Sequence, residues 1–256
     1  VLDAPAPFVV DAAIEDEQHH FRLRLSHDGS SVTGVSATAV RWPWSPCIEA
    51  SSALSAAVGV ALSADLGALG RWTPARQQCT HQFDLLGLAM THAAALSQVV
   101  GVPARSARRQ YDATVPDWSA GPCSAFLARD GVRILTWSID RDTIVSPEAF
   151  AGAKLRDRFI DWCVESLSLD DAEAALVLRR AVWMSPSRHL DLEACDTAIE
   201  GRLAPDVCFS AQPARIEVAV RNRGSLRDFG ASADPLLADL VPPADGSTGA
   251  AADSAR

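Results

Sequence analysis

The chain has 256 residues, a net charge of −9 and no apolar run near the ~20 residues that a membrane-spanning helix needs. The acidic balance excludes the clustered basic face that a nucleic-acid duplex requires, and the apolar fraction leaves ample core for one large domain. The cations are almost all Arg, so Schiff-base chemistry would rest on Lys154, the only lysine, at the start of an expected surface helix. Six widely spaced cysteines (Cys47, Cys79, Cys123, Cys163, Cys195 and Cys208) include no C-x-x-C pair, which indicates neither a zinc ribbon nor a thioredoxin-like site. Residues 1–20 lack a basic start and a continuous apolar core, so no secretory signal is read and a cytoplasmic chain with reduced thiols is expected.

In chain order, residues 8–15 read as a strand. His20–Leu25 and Val32–Val40 alternate around a His27-Asp28-Gly29-Ser30 turn, which predicts a hairpin with His19, His20 and His27 at its surface. Two prolines in Arg41-Trp42-Pro43-Trp44-Ser45-Pro46-Cys47 end the second strand, leaving a rigid aromatic corner that is either a packing plug or one wall of a pocket. An Ala-rich helix over Ile48–Leu62 and a loop over Asp65–Gln78 lead to a strongly apolar helix over Thr80–Val100. Strands are predicted over Ala107–Val115, Ser124–Arg129 and Val132–Ile139, then helices over Pro147–Ser168, with Phe159 and Trp162 inward, and Asp170–Met184. Ile216, Val218 and Val220 alternate with smaller or charged residues and predict a late strand within Val207–Val220. The order gives an α+β domain over residues 1–230, with an antiparallel sheet packed on a buried central helix, and a tail over 231–256 without a core-forming pattern, expected to be disordered.

Chemistry concentrates where the central helix begins. Cys79 lies at its positive end, where free N–H groups favour a thiolate, and the same field disfavours a protonated His81. Asp84, three residues on, is placed to orient the His81 ring or to cap the helix. His92 lies ~16 Å further along the axis and cannot share a metal with His81. A zinc site from Cys47, Cys79 and His81, or from the hairpin histidines, is conceivable but locally unspecified, and no metal is expected. Trp42, Trp44 and Trp72 are candidate pocket walls and Tyr111 a candidate donor. At least one of Arg179 and Arg180 must turn inward to a carboxylate, a carbonyl or a substrate anion. Gly224-Ser225 offers a nest for an oxyanion. No dinucleotide fingerprint or phosphate loop occurs, and no cofactor is expected.

The segments RWPWSPC at 41–47, QCTHQFDLLGLA at 78–89, ALVLRRA at 175–181, and CFSAQP with RGSLRDF between 208 and 229 resemble the bacterial domain-of-unknown-function family 2889. The matching positions are Arg41, Trp44, Cys47, Cys79, Thr80, His81 and Asp84; Gln78 and Gln82 depart from the Gly and Leu of the commoner pattern. The resemblance implies an association with bacterial breakdown of aromatic and other hydrophobic compounds. Together these readings favour a cofactor-independent lyase on an aromatic, lignin-derived type of molecule, using acid/base carbon–carbon cleavage such as formaldehyde release from a hydroxymethyl side chain. His81, Asp84 and Cys79 are its catalytic candidates; Arg41, Trp42, Trp44, Cys47, Trp72, Thr80, Tyr111, Arg179 and Arg180 are its binding candidates. The alternatives are a hydrolase with Cys79 as nucleophile and a non-catalytic ligand-binding protein. The expected partner is a small hydrophobic or aromatic substrate, with no nucleic acid and no membrane; homo-oligomerisation stays open.

Overall fold

The computed structural model describes residues 1–99, 106–116, 122–156, 158–229 and 235–240. It is an α+β structure with two antiparallel sheets. The first runs in the order β4-β3-β2-β1-β5, from β1 (Leu2–Ala6), β2 (Val9–Glu15), β3 (His20–His27), β4 (Val32–Arg41) and β5 (Arg108–Arg109). The second runs in the order of the chain through β6 (Tyr111–Thr114), β7 (Cys123–Arg129), β8 (Val132–Asp140) and β9 (Thr143–Ser146). The predicted hairpin is present as β3 and β4, with Gly29 at φ +93°, a conformation that costs glycine little.

Period-two alternation gives the first sheet its buried face. Val10 and Ala12 stand opposite Leu25 and Leu23, and all four are buried. The central helix, α2 here (Thr80–Leu96), covers that face with Leu85, Leu86, Ala89, Met90 and Ala93. A shorter helix, α1 (Ala68–Trp72), precedes it within the expected loop. The second core packs Ala125 and Leu127 of β7 and Trp137 and Ile139 of β8 against α3 (Phe159–Ser166) and α4 (Leu169–Met184). As expected, Phe159 is buried and Trp162 packs against this core. Ser168 caps α4, its hydroxyl accepting from the Asp171 N–H, while Asp170 and Asp171 occupy the first turn. Leu88 of α2 packs against both cores, so the helix joins the two halves.

Four expectations are corrected. The single strand over Ala107–Val115 is two, because the chain crosses from one sheet to the other at Gln110, whose N–H donates to Asp130 at 2.8 Å. The segment Ser45–Ala57 is a 3-10 helix, with Ser52 and Ser55 hydroxyls bonding carbonyls three residues back and competing with the α ladder. Of the Pro147–Ser168 helix only Glu148–Phe150 (3-10) and α3 form, with Gly152 at φ +86° in the break between them. The late strand is absent: Phe209–Ala211 is a 3-10 turn, Pro213 starts α5 (Pro213–Ile216), and the alternation has the opposite phase, with Ala219 buried and Val218 and Val220 exposed. The expected disorder after Ala231 falls largely on residues outside the described set. Within it, Ala238–Leu240 makes one turn, and the Leu237 N–H donates to Glu15.

Candidate functional site

A cavity of about 440 Å³ lies where the two cores meet. Its walls are the end of β2 with Asp16 and Glu17, then Asp84, Leu85, Gly87 and Leu88 of α2, β6, and Leu176, Val177, Arg180, Ala181 and Met184 of α4. The lining is mostly apolar, and its size suits a small organic molecule. Five carboxylates (Glu15, Asp16, Glu17, Asp84 and Asp112) and two guanidiniums (Arg180 and Arg188) belong to that lining. Both arginines are already paired. Arg180 Nε donates to Asp84 at 2.8 Å, with a further bond to Thr80 Oγ1, and Arg188 reaches Glu17 at 3.4 Å. The resulting field disfavours an anionic ligand and favours a neutral or cationic one.

At the cavity's edge, the β2–β3 loop places Asp16 against two imidazoles. Asp16 Oδ1 accepts backbone N–H bonds from Gln18 at 2.8 Å and His19 at 2.7 Å. His19 Nδ1 spans the carboxylate, 3.0 Å from Oδ1 and 3.2 Å from Oδ2, and Oδ2 also lies 3.1 Å from His81 Nε2. The two rings stack, with centroids 4.0 Å apart. Burial pushes the Asp16 carboxyl up, but the two imidazoles outweigh that and hold it well below the usual carboxylate range. Burial first, and then the neighbouring His19, lower His81 to about 4, so the ring is neutral at pH 7, the direction expected from its place in the helix. The loop is clamped from behind by Arg41, which donates to the carbonyls of Glu17 and Ser225, both at 2.8 Å, and to Glu15 at 3.0 Å.

This differs from the sequence expectation in partner and in membership. Asp84 does not orient His81; it faces Arg180 of α4, which no local spacing could show. Asp16 takes its place, and His19, expected at the surface with His20 and His27, is buried with both of them. The D-x-x-H step closing the second strand is the only signal that could have found the Asp16–His19 pair.

The thiol side behaves differently. Cys79 is the N-cap of α2, where the nearby backbone N–H groups of Gln82 and His81 act in favour of the thiolate, as expected, without a capping bond to the side chain. Burial outweighs this and pushes the thiol up, with the neighbouring Cys47 adding to the shift. Cys47 is raised to about 11 by burial, despite a 3.1 Å hydrogen bond with Ser210 Oγ. A thiolate nucleophile is not prepared here.

The remaining candidates scatter. Trp44 is buried in a separate cluster with Cys47, Leu192, Ala198 and Ala219, and Trp42 packs on that cluster's edge, so the aromatic corner is a plug. Trp72 is 60 % exposed and donates its indole N–H to Ala56. None of the three belongs to the cavity lining. Tyr111 lines the cavity, but its hydroxyl donates to Glu173; burial and that carboxylate push its pKa up. Arg179 turns away, donating to the Leu155 carbonyl at 2.6 Å beneath Trp183. The Gly224 N–H serves an internal carboxylate, Glu193, at 3.0 Å. His92 is buried with Nε2 3.1 Å from the Ala107 carbonyl. Gln82 is fully buried and donates to Ser51.

Comparison of the chain with protein families, with curated proteins and with solved structures finds no match. Among the described residues no helix is long and apolar enough to cross a membrane.

Proposed function

We propose that this chain is an enzyme acting on a neutral, hydrophobic, aromatic small molecule held in the cavity between the two cores, and that it cleaves a carbon–carbon bond as a lyase. The observation that carries the reading is the meeting of an apolar cavity with one prepared polar edge, where Asp16 lines the cavity and His19 and His81 stand behind it. Such an edge suits a substrate hydroxyl, and the apolar walls suit the ring that bears it. In formaldehyde release from a hydroxymethyl side chain, the hydroxyl proton passes to this cluster and the carbon–oxygen bond becomes the carbonyl. The carbon–carbon bond breaks, and its electron pair stays with the aromatic fragment, which takes up a proton. Binding of a carboxylate-bearing substrate is disfavoured by the acidic lining, whose two arginines are already neutralised.

The test is incubation of the purified chain with neutral aromatic alcohols bearing a hydroxymethyl side chain, with formaldehyde measured. Release that His81→Ala lowers by at least about 100-fold, while the variant keeps its folded circular-dichroism spectrum, supports the reading. Undiminished release in that variant contradicts it.

A further inference from the structure

We propose that Asp16, His19 and His81 form a binding site for one divalent transition-metal ion of the zinc class, at the edge of the cavity. The inference deepens the function just proposed and rests on the same cluster, and it revises the expectation of a metal-free site.

The geometry carries it. Asp16 Oδ2 lies 3.2 Å from His19 Nδ1 and 3.1 Å from His81 Nε2, and the ligand atoms of the three residues all fall within 4.8 Å of one another. Two donors bound to one ion at ~2.1 Å stand ~3.0–3.4 Å apart for angles between octahedral and tetrahedral. The two measured edges therefore match a shared ion. The other carboxylate oxygen accepts the backbone N–H groups of Gln18 and His19 and lies 3.0 Å from His19 Nδ1, so Asp16 would offer Oδ2 to the ion, with its plane held by the backbone. Arg41 holds the loop in that position through the carbonyls of Asp16 and Glu17. Two histidines and one carboxylate leave coordination positions free for water or a substrate oxygen. The acidic lining adds a field that concentrates cations at this edge. The thiols do not compete as a site: among the described residues, this trio is the only group of three or more His, Cys, Asp or Glu side chains close enough to share an ion.

The test is titration of the chelator-treated full chain with Co²⁺ and no substrate, following the ligand-field absorption and the imidazole NMR signals. The expected result is saturation at one ion per chain, displacement by Zn²⁺, and paramagnetic shifts of the His19 and His81 ring protons but not those of His27. Asp16→Asn and His19→Ala should each weaken binding by at least about tenfold. Should either variant fail to fold, the wild-type shifts decide alone. Absence of saturable binding, shifts confined to other histidines, or an intense sulfur-to-cobalt charge-transfer band overturns the proposal. Because no substrate is present, failure here leaves the formaldehyde assay standing, and a negative formaldehyde assay leaves the metal result standing.

Discussion

Cys79 and His81 sit two residues apart at the start of one helix, yet the fold gives them opposite environments. Cys79 faces a closed pocket of side chains with Cys47 and Phe209, where burial keeps the thiol protonated. His81 faces a loop whose carboxylate, backbone amides and clamping arginine are all satisfied, and that loop reaches the cavity. The helix end supplies the same N–H field to both. Desolvation raises the thiol and lowers the imidazole alike, and only the imidazole also has a carboxylate within hydrogen-bond reach. The contrast shows that a reactive residue type at a helix start acquires chemistry only from what the rest of the chain packs against it.

The sharpest way to break the imidazole side is through its clamp. Arg41→Met leaves Glu15 buried without its guanidinium and frees the loop carbonyls, and should cost about 3–5 kcal/mol by urea denaturation. It should also lower turnover, because the loop loses its support. A loss below about 1 kcal/mol would mean the loop is held by something else.

On the thiol side the comparable probe is pH. Cys47 rises from 9.0 to about 11 in the folded chain, so the unfolded chain loses this proton first. Its stabilisation is therefore complete below pH 9 and disappears as the pH climbs to about 11, a loss of about 3 kcal/mol that Cys47→Ala should remove, leaving the shallower fall contributed by the other buried thiols, Cys79 and Cys163 among them. Denaturation curves of both proteins between these pH values check the sign. A smaller effect tests whether the neighbouring aromatic corner is packed. A Cβ at Gly201 would lie 2.7 Å from Trp44 Cη2, so Gly201→Ala should cost about 1–3 kcal/mol, whereas a pocket wall would tolerate it. Smallest is a difference in labelling: iodoacetamide at neutral pH should modify the half-exposed Cys195 before Cys47 or Cys79, as peptide mass spectrometry would show.

What the sequence made legible is local. Alternation placed the β3–β4 hairpin and the β7–β8 turn, and three- and four-residue spacing placed α2 and α4. That at least one of Arg179 and Arg180 turns inward was legible too: Arg180 meets a carboxylate, and Arg179 a carbonyl. The illegible parts depend on long separations. Asp16 meets His81 across 65 positions and Asp84 meets Arg180 across 96, and neither pairing has a spacing rule. The hairpin histidines were misread because a charged or polar residue beside a strand is most often exposed, whereas here the β2–β3 loop turns His19 inward and His20 and His27 are buried at the two ends of β3. The strand expected near Val220 failed because Ala219 turns inward against the aromatic plug while its larger neighbours face out.

On the proposed function, the imidazole side of the helix start, and not the thiol side, performs the chemistry. Formaldehyde release by Asp16→Asn and Cys79→Ser, set beside the wild type on one hydroxymethyl aromatic substrate, tests it most directly. A fall of at least about 100-fold is expected for Asp16→Asn, and wild-type order of activity for Cys79→Ser. The reverse pattern, with Cys79→Ser inactive and Asp16→Asn unaffected, would contradict it.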